Sequence, residues 1–424
     1  MSRTIPVPEV YIIWHPKCDV AGRLAPDIYN WLRPGNGLGP QVFYRSLKAP
    51  DGAESLPVPI PGEGRGNGGY PSLRRGANVQ ILILLIDCHL IADPAWRMWL
   101  QNISRYHSGF RRIFIPVALD PTAYNIPAPI RDLNFLRPTG LERVGEMRGG
   151  YAFQSALAPV SRSLLKQLTE TLCRFMIGGT VDDSTMTKLS ADEGMNPGQK
   201  KLKVFLSHAK ADGTSPARRI RDYIYSQTQL AAFFDENDIA YASAFAKVLE
   251  QDLNADETAA FIAVRSSRYA SRPWCRRELA TFRRPRPEAS NRTERWKLYP
   301  TLVVDSMDSR EHTPGIPEFG NSTLLRWDEG GSEQEEQIVT TVLRDVMLSA
   351  FHSALGASMA PPSDHIVINW APDPTSLLQI PRIRDVKEEL HVVYPGRGMS
   401  YLELGILSEF FPRITFHSFE EYNS

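Results

Sequence analysis

Ten polar or aromatic side chains between positions 207 and 278 have the types and spacing needed for chemistry on a small ligand. Ser207, His208, Lys210 and Asp212 follow a short apolar run, Val204-Phe205-Leu206. Phe234 and Asp235 end a second run from Ala231, and Ser266 and Ser267 follow a third, Ala260 to Val264. Further on, Trp274 and Glu278 stand four residues apart in a helical stretch, so the indole and the carboxylate lie one turn apart and can share a face. A flat ring beside an aligned carboxylate suits loss of a flat leaving group from a sugar, with the carboxylate stabilising the oxocarbenium-like centre that remains. The alternative for Glu278 is a surface acid in a basic helix, paired with Arg276, Arg277 or Arg283. Such pairs contribute little.

The elements that must position these groups read as strands alternating with helices. Each apolar run is short, bounded by polar or turn residues, and followed by a segment of helical period. That pattern predicts an α/β fold, flavodoxin-like, with parallel sheets flanked by helices. Ligands bind such sheets beyond the carboxyl ends of the strands, where the polar residues fall. Asp212 also reads as a helix N-cap, Phe234 as core and Asp235 as a turn cap.

The order FLSHAKAD, FFDENDI and FIAVRSSRYASRPWCRREL resembles a Toll/interleukin-receptor (TIR) domain over residues 201–349. In the enzymatic branch of that family a Trp-x-x-x-Glu segment supplies the glutamate that cleaves the nicotinamide–ribose bond of NAD. Trp274 and Glu278 meet that spacing. The resemblance implies a catalytic Glu278, with Trp274, Ser207, His208, Lys210, Phe234 and Asp235 lining the dinucleotide site and NAD as substrate. It also implies a homo-oligomer assembled through TIR–TIR contacts at the loop Glu236–Ser243. Family members usually carry a glycine in that loop; this chain has Ala240-Tyr241-Ala242-Ser243, which is less permissive at positive φ. Glu250, beside the stripe Phe245, Leu249 and Leu253, is the next carboxylate after Glu278.

His15, Lys17 and Asp19 follow an apolar run in the same register as His208, Lys210 and Asp212, and the order of later runs is repeated. Residues 1–177 therefore read as a diverged, non-catalytic copy, with Leu100 four residues after Trp96 where a glutamate would stand. Residues 178–200 read as a polar linker, 201–355 as the catalytic candidate domain, and 364–424 as a small C-terminal α/β module. The Gly/Pro/Arg-rich stretch 57–75 reads as a surface loop outside any phosphate-binding motif context. Arg283-Arg284-Pro285-Arg286 reads as part of a solvated loop reaching Arg295, Tyr299 to Val304 as the last strand of the domain, Ile338 to Leu348 as its closing helix, and Leu377 to Leu390 as helical.

The 424 residues are 42% hydrophobic and 23% charged, ordinary for a globular protein, and Lys+Arg and Asp+Glu both number 48. Zero formal charge offers no field to draw in nucleic acid or membrane, and neither is expected as a partner. The four scattered cysteines show neither a disulfide framework nor metal-ligand spacing, so no metal is expected and a reducing compartment fits. MSRTIPVPEV lacks the apolar core of a signal peptide, and the longest apolar run, Ile81 to Ile86, is too short for a bilayer. The expected protein is a cytoplasmic NAD-cleaving effector of immune signalling, activated by oligomerisation and by a separate sensor protein or nucleotide. The alternatives are a scaffold that uses TIR surfaces for assembly alone, and a nucleotide sensor.

Overall fold

A computed structural model describes residues 7–33, 38–44, 46, 79–105, 111–145, 150–178, 202–228, 230–234, 258–288, 293–307, 315–320, 322–329, 331, 333–359, 361–396 and 398–423. They fall into two compact units, Met1–Met195 and Asn196–Ser424. Asp235, the loop 236–243, Glu250, linker residues 179–200 and the stretch 57–75 lie outside the described residues.

In the first unit, β1 (Pro8–Trp14), α1 (Asp19–Leu32), β2 (Gln41–Tyr44), β3 (Val79–Ile86), α2 (Cys88–Ala92), α3 (Pro94–Arg105), β4 (Arg111–Ala118), α4 (Leu141–Gly145) and α5 (Gly150–Gly178) follow one another. The four strands form a parallel sheet in the order β2-β1-β3-β4. Every residue of β3 is buried, as its unbroken apolar run requires of a central strand covered on both faces. Leu24, Ile28 and Leu32 bury one stripe of α1. Trp96 and Leu100 of α3 pack into the core with Leu82, Leu84 and Ile86.

The second unit carries two sheets. The first is parallel, in the order β11-β10-β7-β5-β6, from β5 (Lys203–His208), β6 (Ala231–Phe234), β7 (Thr258–Arg265), β10 (Thr301–Asp305) and β11 (Thr323–Arg326). Its helices are α6 (Thr214–Gln227), α7 (Pro273–Phe282) and α8 (Gln334–Ser358). Phe205 and Phe261 stack at 5.3 Å, and Phe282 of α7 closes on Phe261 at 5.0 Å. Among the described residues α8 is long and apolar enough to cross a membrane, and most of its most apolar window is buried within the protein.

The second sheet runs β14-β13-β12-β9-β8. It joins β12 (His365–Ile368), β13 (Leu390–Tyr394) and β14 (Ile414–Ser418) to a hairpin from much earlier in the chain, β8 (Arg286–Glu288) and β9 (Glu294–Lys297). Its helices are α9 (Pro374–Leu377), α10 (Pro381–Arg384), α11 (Tyr401–Phe410) and α12 (Phe419–Asn423). The sheet to which residues 364–424 contribute thus takes two strands from 286–297.

Several expectations change here. Arg283 to Arg295 holds two strands, because main-chain pairing to β12 orders a segment with no apolar period. Val304 does not end the first sheet; β11 extends it. Leu377 to Leu390 is not one helix: α9 ends at Leu377, Pro381, lacking an N–H to continue a helix, opens the four-residue α10, and Leu390 starts β13.

Candidate functional site

The carboxyl end of β5 delivers two buried side chains in succession. Ser207 is 2% exposed and His208 follows it on the opposite side of the pleat, also buried. Helix α7 starts at Pro273, which suits its first turn, and buries Cys275, Glu278, Leu279 and Phe282. These positions form one helical stripe, and Glu278 lies within it at 6% exposure. The surface-acid alternative is therefore not what the fold contains. The neighbouring arginines are engaged elsewhere: Arg276 with Glu318, Arg277 over the Trp274 ring, and Arg283 with Ser322.

Ser207 meets Glu278 directly. Its Oγ donates to Glu278 Oε2 at 2.6 Å and lies 2.9 Å from the Tyr269 hydroxyl. A serine hydroxyl has one proton, so with that proton committed to the carboxylate, Tyr269 donates to Ser207, its 3.4 Å approach to the Cys275 carbonyl being the longer of its two contacts. The chain of donors runs from phenol to hydroxyl to carboxylate. Burial above all pushes the Tyr269 phenol well above its ordinary range; the Ser207 hydrogen bond opposes this, and the nearby Cys275 and Glu278 reinforce it. Burial, and then the Glu278 charge, push the Cys275 thiol up to about 12. Its Sγ donates to the His208 carbonyl at 3.4 Å, fastening α7 to the end of β5.

Asp212 does not cap α6; that position is Gly213, without a side-chain cap. Asp212 instead accepts from Ser266 Oγ at 2.6 Å and from the Arg268 N–H at 2.9 Å, tying the turn after β5 to the turn after β7. Lys210 is exposed in the first of these turns. Phe234 ends β6 in register with Leu206. Trp274 is 46% exposed, with the Arg277 guanidinium 5.4 Å from its ring centroid. One helical turn thus separates a wet indole from a buried carboxylate. Of the residues singled out from the sequence, the fold joins Ser207 to Glu278 and Asp212 to Ser266.

Tyr269 is the member that the sequence reading missed. Its signal was a lone aromatic in the polar turn Arg265 to Arg272, just ahead of Pro273. Among the described residues, Asp87, Cys88 and His89 of the first unit have ligand atoms within 4.8 Å of one another, and Glu278 belongs to no such group.

The strand order, the buried Ser207–Glu278 contact and the turns around it lie in a stretch, residues 204–339, that matches the family model described as TIR domain. This stretch is a TIR domain. No curated protein matches the chain. The TIR match ends within α8 and includes the hairpin β8–β9, while the strands that pair with that hairpin's sheet, β12 to β14, lie beyond it.

Proposed function

We propose that the TIR domain cleaves the nicotinamide–ribose bond of NAD, with Glu278 as the carboxylate that stabilises the ribosyl centre. The observation that carries this reading is the Glu278 carboxylate itself: buried, on a helix behind the carboxyl end of β5, and held by Ser207 at 2.6 Å. A carboxylate already oriented in a water-poor place pays little reorganisation when positive charge develops beside it. Nicotinamide departs as a neutral ring from a pyridinium, so no strong general acid is required. Capture of the ribosyl centre by water gives ADP-ribose, and internal capture gives a cyclic product. In this reading Trp274 offers an exposed aromatic face, and Ser207, His208, Lys210, Phe234 and Asp235 border the dinucleotide. No metal takes part.

The same proposal has the chain acting in the cytoplasm as a homo-oligomer in immune signalling, with the loop 236–243 at the contact and a separate protein or nucleotide as activator. The sheet order β2-β1-β3-β4 repeats β6-β5-β7-β10, which supports reading the first unit as a diverged copy. Its Trp96 and Leu100 are both core residues, which supports a non-catalytic role.

A non-enzymatic scaffold is the second reading. It is favoured by the closed donor chain from Tyr269 through Ser207 to Glu278, which would serve equally as an internal brace.

NAD consumption by concentrated protein, wild type against Glu278→Gln, with products resolved by chromatography, separates them. Nicotinamide release that disappears in Glu278→Gln is the expected result. No turnover by the wild type, even when forced to assemble, overturns the enzyme and leaves the scaffold.

A further inference from the structure

The basic run Arg283-Arg284-Pro285-Arg286 is only partly solvated: Arg284 is exposed and Arg286 half-buried, while Arg283 and Pro285 are buried. Arg283 turns inward, is 8% exposed and donates to Ser322 Oγ at 3.0 Å. Pro285 carries the chain from α7 into β8, and Arg284 and Arg286 then border a cleft of about 690 Å3 between α7, the β8–β9 hairpin and α10. Arg277, Thr281, Trp296 and Gln379 also line it, and none of its lining residues is acidic. The acids nearby have other partners: Glu288 pairs with Arg295 at 3.7 Å, Glu294 with Arg382 at 3.1 Å, and Glu318 with Arg276. The Trp296 indole is held by its own N–H, which donates to Glu294 Oε1 at 2.8 Å.

We infer that this cleft binds a nucleoside polyphosphate, its phosphates on Arg277, Arg284 and Arg286 and its base against Trp296. Three planar guanidinium forks match phosphate oxygens in pairs, which ammonium groups do not. The volume falls within the range of small-molecule and cofactor sites, and a fixed indole offers any base a stacking face. The cleft is distinct from the Glu278 carboxylate, although Arg277 borders both it and the Trp274 ring. Successive helical residues are rotated by about 100°, so Arg277 and Thr281 face the cleft while Glu278 points into the core toward Ser207. A ligand here does not reach that carboxylate, and the inference does not rest on NAD cleavage.

The test is titration calorimetry of the full chain with ATP, pyrophosphate and adenosine in the absence of divalent metal. ATP is expected to bind, and Arg284→Glu to weaken it by about 10- to 100-fold, the effect of losing a charge-assisted contact and adding repulsion. Trp296→Leu is expected to weaken ATP and leave pyrophosphate unchanged. Glu278→Gln is expected to leave ATP binding intact, which keeps this result distinct from the fate of the NAD reaction. Thermal unfolding identifies any variant that fails to fold; Arg284→Glu, at a lining position, retains the test if Trp296→Leu does not fold. ATP affinity equal in wild type and Arg284→Glu, or no ATP binding at millimolar concentration, overturns the inference. So does a single-stranded oligonucleotide that binds at least tenfold more tightly than ATP in an Arg284-dependent way.

Discussion

Replacing Ser207 with alanine tests whether the hydroxyl holds the Glu278 carboxylate. The substitution removes a 2.6 Å hydrogen bond to a carboxylate and the acceptor of the Tyr269 hydroxyl, all in a buried setting. A hydrogen bond to a charged group contributes about 1.5–3 kcal/mol, and a neutral one about 1 kcal/mol. Ser207→Ala is therefore expected to cost about 2.5–4 kcal/mol in the wild-type background. In a Glu278→Gln background the acceptor is neutral, the charge assistance is gone, and the cost falls to about 2 kcal/mol, a coupling of about 0.5–2 kcal/mol. The assay is native-state hydrogen exchange of β5 and α7 peptides across a urea series, which reads the opening free energy of this region within the full chain. If Ser207→Ala costs the same in both backgrounds to within about 0.5 kcal/mol, the hydroxyl is not what orients the carboxylate, and the argument for a preorganised Glu278 fails with it.

Gly320 sits at φ +50°, where a Cβ would meet the Arg283 guanidinium at 2.7 Å. The guanidinium tip can shift, so the backbone conformation dominates the cost, and Gly320→Ala is expected to lose about 1–3 kcal/mol in urea unfolding; a loss below about 0.5 kcal/mol would contradict this. In the second sheet, His365, His391 and His417 lie on three adjacent strands, with His391 Nδ1 3.0 Å from His417 Nε2, Asp364 bound to His365 and Tyr422 against its ring. Burial first, then His391 and His365, hold the His417 pKa below its ordinary value, with Glu421 opposing. Below a pH of about 6.5 the unfolded chain takes up the proton that the folded imidazole resists, so stability falls as pH falls. Peptides covering β14 should exchange faster at pH 5 than at pH 7 after correction for intrinsic rates, and His417→Asn should flatten that dependence; equal slopes in both proteins would refute it.

The legible parts of the fold were those whose chemistry is local. Val79–Ile86 is an unbroken apolar run and is the fully buried β3. The runs ending at Leu206 and Val264 are β5 and β7, and the turns after them hold the polar residues expected there. The hairpin was illegible for a physical reason. Glu294-Arg295-Trp296-Lys297 has no apolar period, and its order comes from main-chain pairing with residues far along the chain. Strand β11 is a four-residue edge strand whose side chains are largely exposed, so it too carried little pattern. At the site, the basic neighbours of Glu278 suggested a solvated acid, yet its place with Cys275, Leu279 and Phe282 at spacings of three and four was already in the sequence. Tyr269 was hidden because its partners come from two other elements.

The insertion of β8–β9 has a consequence for how the chain can be made and exchanged. The main-chain N–H of Leu298 is satisfied by Asn369 Oδ1 at 2.8 Å, 71 residues later, and Trp296 is in register with Ile368. A ribosome therefore releases the hairpin, with one edge unpaired, well before its partner strand exists. For the same reason the last sixty or so residues are not a detachable cassette, in keeping with the rule that interrupted pairing leaves a bare strand edge. Replacing them without Arg286–Lys297 would leave β9 with no partner strand in place of β12, so the C-terminal sheet and the hairpin within the TIR domain depend on each other for their pairing.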